Sequence, residues 1–250
     1  MIQKASITIS DQVFEVNLAS PQDISIPLKE GDHNPNCFWA EDPVFEVIRG
    51  EGFVGSVAEG GSVNYKKLIM TPHGNGTHTE CFGHIDADPQ ATISKKIKSF
   101  LAPLALVSVN PTKRGDEQWI SQDQFPSDLP SWITALAVRT LPNDDSKRTQ
   151  KYSGSNPVYF EPGFLEHVTE HGIVHFLTDL PSVDPEVDGG KLSSHKAFWK
   201  DETRGHCSIT EMIFASDDIK DGYYLLNLQI PNINLDAVPS RPVLFPMTKV

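Results

Sequence analysis

A chain of 250 residues with 38% hydrophobic, 22% charged and 9% aromatic residues can bury a sizeable core, which excludes intrinsic disorder. A formal net charge of -12 leaves no basic surface for nucleic acid or for an anionic membrane. Cys37, Cys81 and Cys207 are odd in number, widely spaced and without a CxxC, a pattern of reduced thiols rather than of a disulfide framework. With no apolar stretch suited to a signal peptide or a membrane span, the expected location is cytoplasmic.

In chain order, residues 6–18 alternate as a hairpin about Ser10, Asp11 and Gln12. Residues 23–43 read as a loop that carries Phe38 and Trp39. Residues 63–70 form a strand pattern, and the spacing of Ile93, Ile97, Phe100 and Leu101 predicts a helix over 92–101. Short β-branched runs at 104–109, 133–138 and 173–177 predict buried strands. Residues 162–171 predict a helix, with Pro162 at its start, Phe164, Leu165 and Val168 on one face and Gly172 at its exit. Residues 208–215 predict a further helix, and 223–230 and 242–245 late strands. The polar stretch 143–156 is expected as a surface excursion rather than a linker. The fold class is therefore mixed α/β, with 1–250 as one domain.

The segment 71–86, TPHGNGTHTECFGHID, concentrates chemistry: His73, His78, Glu80, Cys81, His84 and Asp86 fall where no helical or strand periodicity runs. Several donors on one tight loop are a common way to build a metal site. A hydrogen-bonded turn rich in histidine is the structural alternative. Elsewhere, Gly50, Gly52 and Gly55 match GxGxxG, but Gly60 and Gly61 interrupt any following helix that would hold a phosphate. His167 and His171 share a helix face near its C-terminus, where solvated histidines are favoured. His206 beside Cys207 is a further candidate ligand.

GTHTECFGHID resembles the HxGTHxDxPxH signature of the cyclase family, which contains bacterial kynurenine formamidase and isatin hydrolase. The likeness extends along most of the chain. Asp23-Ile24-Ser25 is similar to the family's D-[LI]-S, and FWAEDPVF at 38–45 to its aromatic substrate loop. TDLPSVDP at 178–185 with His195 is similar to its D-x-PSxD…H segment, SITEM with Glu211 to its closing helix, and PSRPV at 239–243 to its late strand. The resemblance implies a cyclase fold of the swivelling β/β/α type and a homodimer or higher homo-oligomer. It also implies one or two divalent ions, zinc or manganese. His78 and Glu80 would be ligands, joined by His195 and Glu211 from the second half of the chain. His84 would be the general acid/base, and Phe38 and Trp39 the apolar wall for a flat small-molecule substrate.

Two positions depart from the signature. Its first histidine falls on Gly74, with His73 one residue earlier, and its aspartate is Glu80. Either His73 reaches the ion or that ligand is lost. The implied activity is metal-dependent hydrolysis of a small amide, formamide or lactam. Its alternatives are a binding protein with a degraded site and a metal-dependent lyase or isomerase.

Overall fold

The computed structural model describes residues 2–250, and its centre is an eleven-stranded sheet. In chain order the strands are β1 (Lys4–Ile9), β2 (Gln12–Asn17), β3 (Gln22–Asp23), β4 (His78–Cys81), β5 (Leu101–Val109), β6 (Ala135–Thr140), β7 (His175–Thr178), β8 (Ser208–Glu211), β9 (Gly222–Gln229), β10 (Ala237–Pro239) and β11 (Arg241–Lys249). Across the sheet they lie β1-β2-β11-β9-β5-β6-β7-β8-β4-β10, with β3 against β11. Strands β5 to β8 are mutually parallel, and every pairing outside them is antiparallel. The strand patterns at the two ends of the sequence thus meet in one sheet.

Strand β6, ALAVRT, is buried at every position and shows why the centre holds. Its alternation sorts side chains onto two faces. Leu136 and Val138 pack with Phe164, Phe176, Phe198 and Trp199. Ala135 and Ala137 face Leu104, Leu226 and Leu244 on the other side. The first face is roofed by helices α2 (Pro162–Glu170) and α3 (Ser193–Trp199). A single turn, α1 (Ile93–Lys96), lies near β4. Helix α2 follows its sequence signals, burying Phe164, Leu165 and Val168 and ending at Gly172, whose φ is +84°.

Two expected helices are corrected. Residues 208–215 begin with a fully buried strand, not a helix, so Glu211 stands on β8 rather than on a closing helix. Ile209 and Thr210 are β-branched, and the backbone of β8 is used on both sides, by β7 and by β4. Of 92–101 only Ile93–Lys96 is helical. Ile97 turns extended yet stays buried, and Leu101 opens β5. The exit carries the chain to Leu101, which pairs with Asn227 at the start of β5. The glycines at 50 and 52 sit in a hairpin of Arg49–Gly50 with Phe53–Val54, not in a phosphate loop.

Candidate metal centre

The site is laid out by strand register. β4 lies between β8 and β10, with His78 opposite Glu211 and Glu80 opposite both Ile209 and Ala237. Opposed residues share a face, and so do residues two apart, so His78, Glu80 and Glu211 project together. Ile209 on that face belongs to the core beneath α3. His195 on α3 therefore comes down onto the same patch, with its Nε2 3.1 Å from Glu80 Oε1. Thr79 and Thr210 point the other way and bond each other at 2.8 Å.

His73 arrives from the turn Pro72–Gly74 that precedes β4. The structure explains why the imidazole sits at 73 and not at 74. A Cβ on Gly74 would lie 2.3 Å from the Cβ of Ala40 and 3.2 Å from the Cys37 carbonyl. The loop that packs there is tied down by a Cys37 N–H to Gly74 carbonyl bond of 3.1 Å. One residue earlier there is room, and His73 Nδ1 stands 3.3 Å from Glu80 Oε2. Its other nitrogen meets Asp236 Oδ2 at 2.9 Å. That same oxygen lies 3.2 Å from His84 Nδ1, while His84 Nδ1 is 3.8 Å from Glu80.

Electrostatics bind these groups together. Burial raises the carboxyl pKa of Glu80, but His84, His195 and His73 outweigh it and hold Glu80 well below the usual carboxylate range. Burial opposes a charge on His73, yet Asp236 and Glu80 lift it to about 10. For His195, burial is likewise outweighed by Glu80 and Asp184, and its pKa rises to about 10. Asp236 is drawn far down, by its bond to His73 first and to His84 second. The cluster thus holds more buried negative charge than neutral imidazoles can balance, and asks for cations in its midst.

His78 tests whether a metal ion fits. Its Nδ1 lies 3.0 Å from the Gly76 carbonyl, which can only accept, so Nδ1 carries the hydrogen. Nε2 is then the ring nitrogen left turned into the site. It is fully buried and has no hydrogen-bond partner among the described residues. It faces Glu211 Oε2 at 3.3 Å without a hydrogen bond between them. A divalent ion held between them would give the unpartnered nitrogen a partner. Donor atoms of His73, His78 and Glu80 lie within 4.8 Å of one another, as do those of Glu80, His84 and His195, and those of His73, His84 and Asp236. Imidazole nitrogens and carboxylate oxygens are the donors that divalent zinc or manganese takes. The residues present fit such an ion.

Of the sequence-derived candidates, His73, His78, Glu80, His84, His195 and Glu211 are brought together. Phe38 and Trp39 stand outside the cluster. Their loop packs on Gly74 through Ala40, but the residues are 44% and 70% exposed. Both have left-handed backbone, φ +54° and +51°, a strained choice for aromatic residues. Cys81 is excluded from the site. It is buried on the opposite face against Ile93, Ile97 and Val238, its thiol pushed up to about 11 chiefly by burial. His206 and Cys207 precede β8, at the end opposite Glu211. His171 bonds the Pro130 carbonyl and His167 pairs with Glu170, apart from any cluster.

Two site residues went unassigned in the sequence. Asp184 lies inside TDLPSVDP, and its Oδ2 meets His195 Nδ1 at 2.6 Å. Asp236 precedes β10 and carries no distinguishing local signal. A separate cavity of about 400 Å³, lined in part by Asp23, Ile26, Met70, Thr77 and Arg241, shares no residue with the cluster.

The model of the Cyclase family matches residues 22–185, a span that holds His73, His78, Glu80, His84 and Asp184. This chain belongs to the cyclase family. A kynurenine formamidase from Bacillus cereus is 26% identical over 226 residues, covering 90% of this chain and 97% of that protein. One from Bacillus anthracis is 27% identical over 228 residues, with the same coverage of 90% and 97%. Among solved structures, a predicted metal-dependent hydrolase from Bacillus stearothermophilus superposes with a TM-score of 0.64 at 17% identity, over 90% of this chain and 98% of that one. An isatin hydrolase bound to the product analogue thioisatinate gives 0.59 at 13% identity, over 92% and 94%. These structural likenesses establish the mixed α/β fold of this cyclase-family member. Among the described residues no helix is long and apolar enough to cross a membrane.

Proposed function

We propose that this chain is a metal-dependent hydrolase that opens the C–N bond of a small amide, formamide or lactam. The observation that carries the reading is the buried face-off of His78 Nε2 and Glu211 Oε2 at 3.3 Å, beside Glu80 and its three histidines. The kynurenine formamidase and isatin hydrolase relatives support the substrate class. The non-catalytic alternative leaned on the glycine at position 74, and His73 beside Glu80 removes that support.

In this reading His73, His78, Glu80, His195 and Glu211 hold one or two divalent ions, zinc or manganese. Such an ion supplies Lewis acidity and brings the pKa of water from about 16 to about 7. Glu80 reaches His73 with one oxygen and His195 with the other, and so spans the site. Asp184 fixes the proton of His195 on Nδ1 and leaves Nε2 turned inward. Glu211 is steadied by the Val183 N–H at 3.1 Å. His84 is the proton carrier. Its Nδ1 is engaged by Asp236, and its partly exposed ring keeps Nε2 for exchange with substrate. In balance, a water oxygen bonds to the carbonyl carbon as His84 takes up one of that water's protons, the C–N bond breaks, and His84 returns the proton to the leaving nitrogen. Phe38 and Trp39 supply the apolar rim for a flat substrate.

The test pairs metal content with turnover. Purified protein, stripped and reloaded with zinc or manganese, is assayed on an N-formyl arylamine and on isatin. Hydrolysis that returns with the metal is expected. A protein that takes up neither ion overturns the proposal.

A further inference from the structure

We propose that Asp236 is the positioning residue that makes His73 a ligand, so that the pair replaces the side chain absent at position 74. The inference rests on the metal-dependent reading above. Two imidazoles flank Glu80 in matching fashion. His195 turns Nε2 to Glu80 Oε1 at 3.1 Å and gives Nδ1 to Asp184 at 2.6 Å. His73 turns Nδ1 to Glu80 Oε2 at 3.3 Å and gives Nε2 to Asp236 at 2.9 Å. A carboxylate on the far nitrogen of a ligating histidine fixes its tautomer and ring orientation and makes the inward nitrogen more basic. Asp184 does this for His195, and Asp236 stands in the same relation to His73.

The need for Asp236 follows from the packing at Gly74. A side chain there is blocked by Ala40, whose Cβ would lie only 2.3 Å from its own, so the imidazole must enter from a different Cα. A ring launched from the turn Pro72–Gly74 is part-exposed and needs an anchor to face inward. Asp236 is well placed to be that anchor. Its own carbonyl accepts the Cys81 N–H at 3.0 Å, and the Leu235 carbonyl accepts the Ile93 N–H at 2.8 Å. The carboxylate is thereby fastened to the strand that carries Glu80. The restraint on His73 is set by the sheet and not by its own loop.

The test is zinc affinity by chelator competition on the full-length protein, in a double-mutant cycle. The variants are Asp236→Ala, Asp236→Asn, His73→Ala and the double variant His73→Ala/Asp236→Ala. Asp236→Ala is expected to weaken zinc binding about 10–100-fold, the usual effect of losing a carboxylate behind a metal-bound histidine. Asp236→Asn keeps the volume and one acceptor oxygen, guards against misfolding, and is expected to lose less. In the His73→Ala background, Asp236→Ala should cost little more. Equal losses in both backgrounds would make Asp236 act independently of His73 and overturn the proposal. So would parent-like affinity in Asp236→Ala and Asp236→Asn, with the metal-dependent reading left intact. A parent protein that binds no zinc overturns both.

Discussion

Asp184→Asn is the sharpest single perturbation of this site, because one carboxylate does three jobs there. Oδ1 accepts the Ser194 N–H at 2.7 Å, and Oδ2 accepts the His195 N–H at 3.1 Å and the His195 ring at 2.6 Å. Ser194 and His195 lie in the first turn of α3, whose N-cap Leu192 offers no capping side chain, so Asp184 caps the helix from outside. An asparagine amide has one oxygen. With oxygen toward Ser194, its NH2 faces two donors on His195. Flipped, it confronts the Ser194 N–H. At least one buried donor is abandoned in either pose, and the remaining bonds lose their charge. Each hydrogen bond to a charged group contributes about 1.5–3 kcal/mol, so the variant should lose about 2–4 kcal/mol in urea unfolding of the metal-free protein. A second effect follows in the pose that faces NH2 to the ring. Nδ1 must then accept, the proton moves to Nε2, and the nitrogen aimed at Glu80 has no lone pair for a metal. Zinc affinity should fall about 10–100-fold. Unfolding within about 0.5 kcal/mol of the parent, together with unchanged zinc affinity, would refute this account of Asp184.

Gly74→Ala forces a Cβ into Ala40 at 2.3 Å and should cost about 1–3 kcal/mol by overpacking, most of it recovered when Ala40→Gly is added. Additive rather than compensating thermal shifts would count against that contact. Zinc binding at pH 7 should expel about two protons, from His73 and His195, whose metal-free pKa values are raised to about 10. Calorimetry in buffers of different ionisation enthalpy reads the number, and a value near zero sinks the charge assignment. His175 is depressed to about 4, by burial first and by His206 second. The unfolded chain takes up that proton first as pH falls, so His175 lowers stability progressively from about pH 6.5 to 4, by about 3 kcal/mol over the window. Urea midpoints across this range should fall less steeply for His175→Gln than for the parent, and parallel curves would count against it.

Most of the sheet was legible because its signals are local. The alternation of 6–18, the β-branched runs feeding β5, β6 and β7, and the Pro162 to Gly172 punctuation of α2 each depend on neighbours in sequence. The two misread helices show where locality ends. Ile209, Met212 and Ile213 space like a helical stripe, but β7 and β4 each offer a hydrogen-bonding edge to this segment, and no window of sequence records that. In 92–101 the stripe is real and Ile93 and Ile97 are buried, yet the helix stops after one turn and the chain goes on to meet β9 at Leu101.

The site divides along the same line. Residue types within 71–86 pointed to a metal by themselves, whereas adding His195 and Glu211 needed a family pattern, because the register His78↔Glu211 is a property of the folded sheet. Asp236 had neither kind of signal. It is one acid among many in an acidic chain, and its meaning comes from a position beside β4 that only the closed sheet creates. The displaced histidine unites these cases. Counted along the motif, position 74 had lost its ligand. Measured in space, Ala40 fills that place, the imidazole reaches the same carboxylate from 73, and an aspartate 163 residues away receives its other nitrogen at 2.9 Å. Around Glu80 the fold gathers donor atoms from distant parts of the chain, and the ring that arrives from position 73 meets one carboxylate on each of its nitrogens.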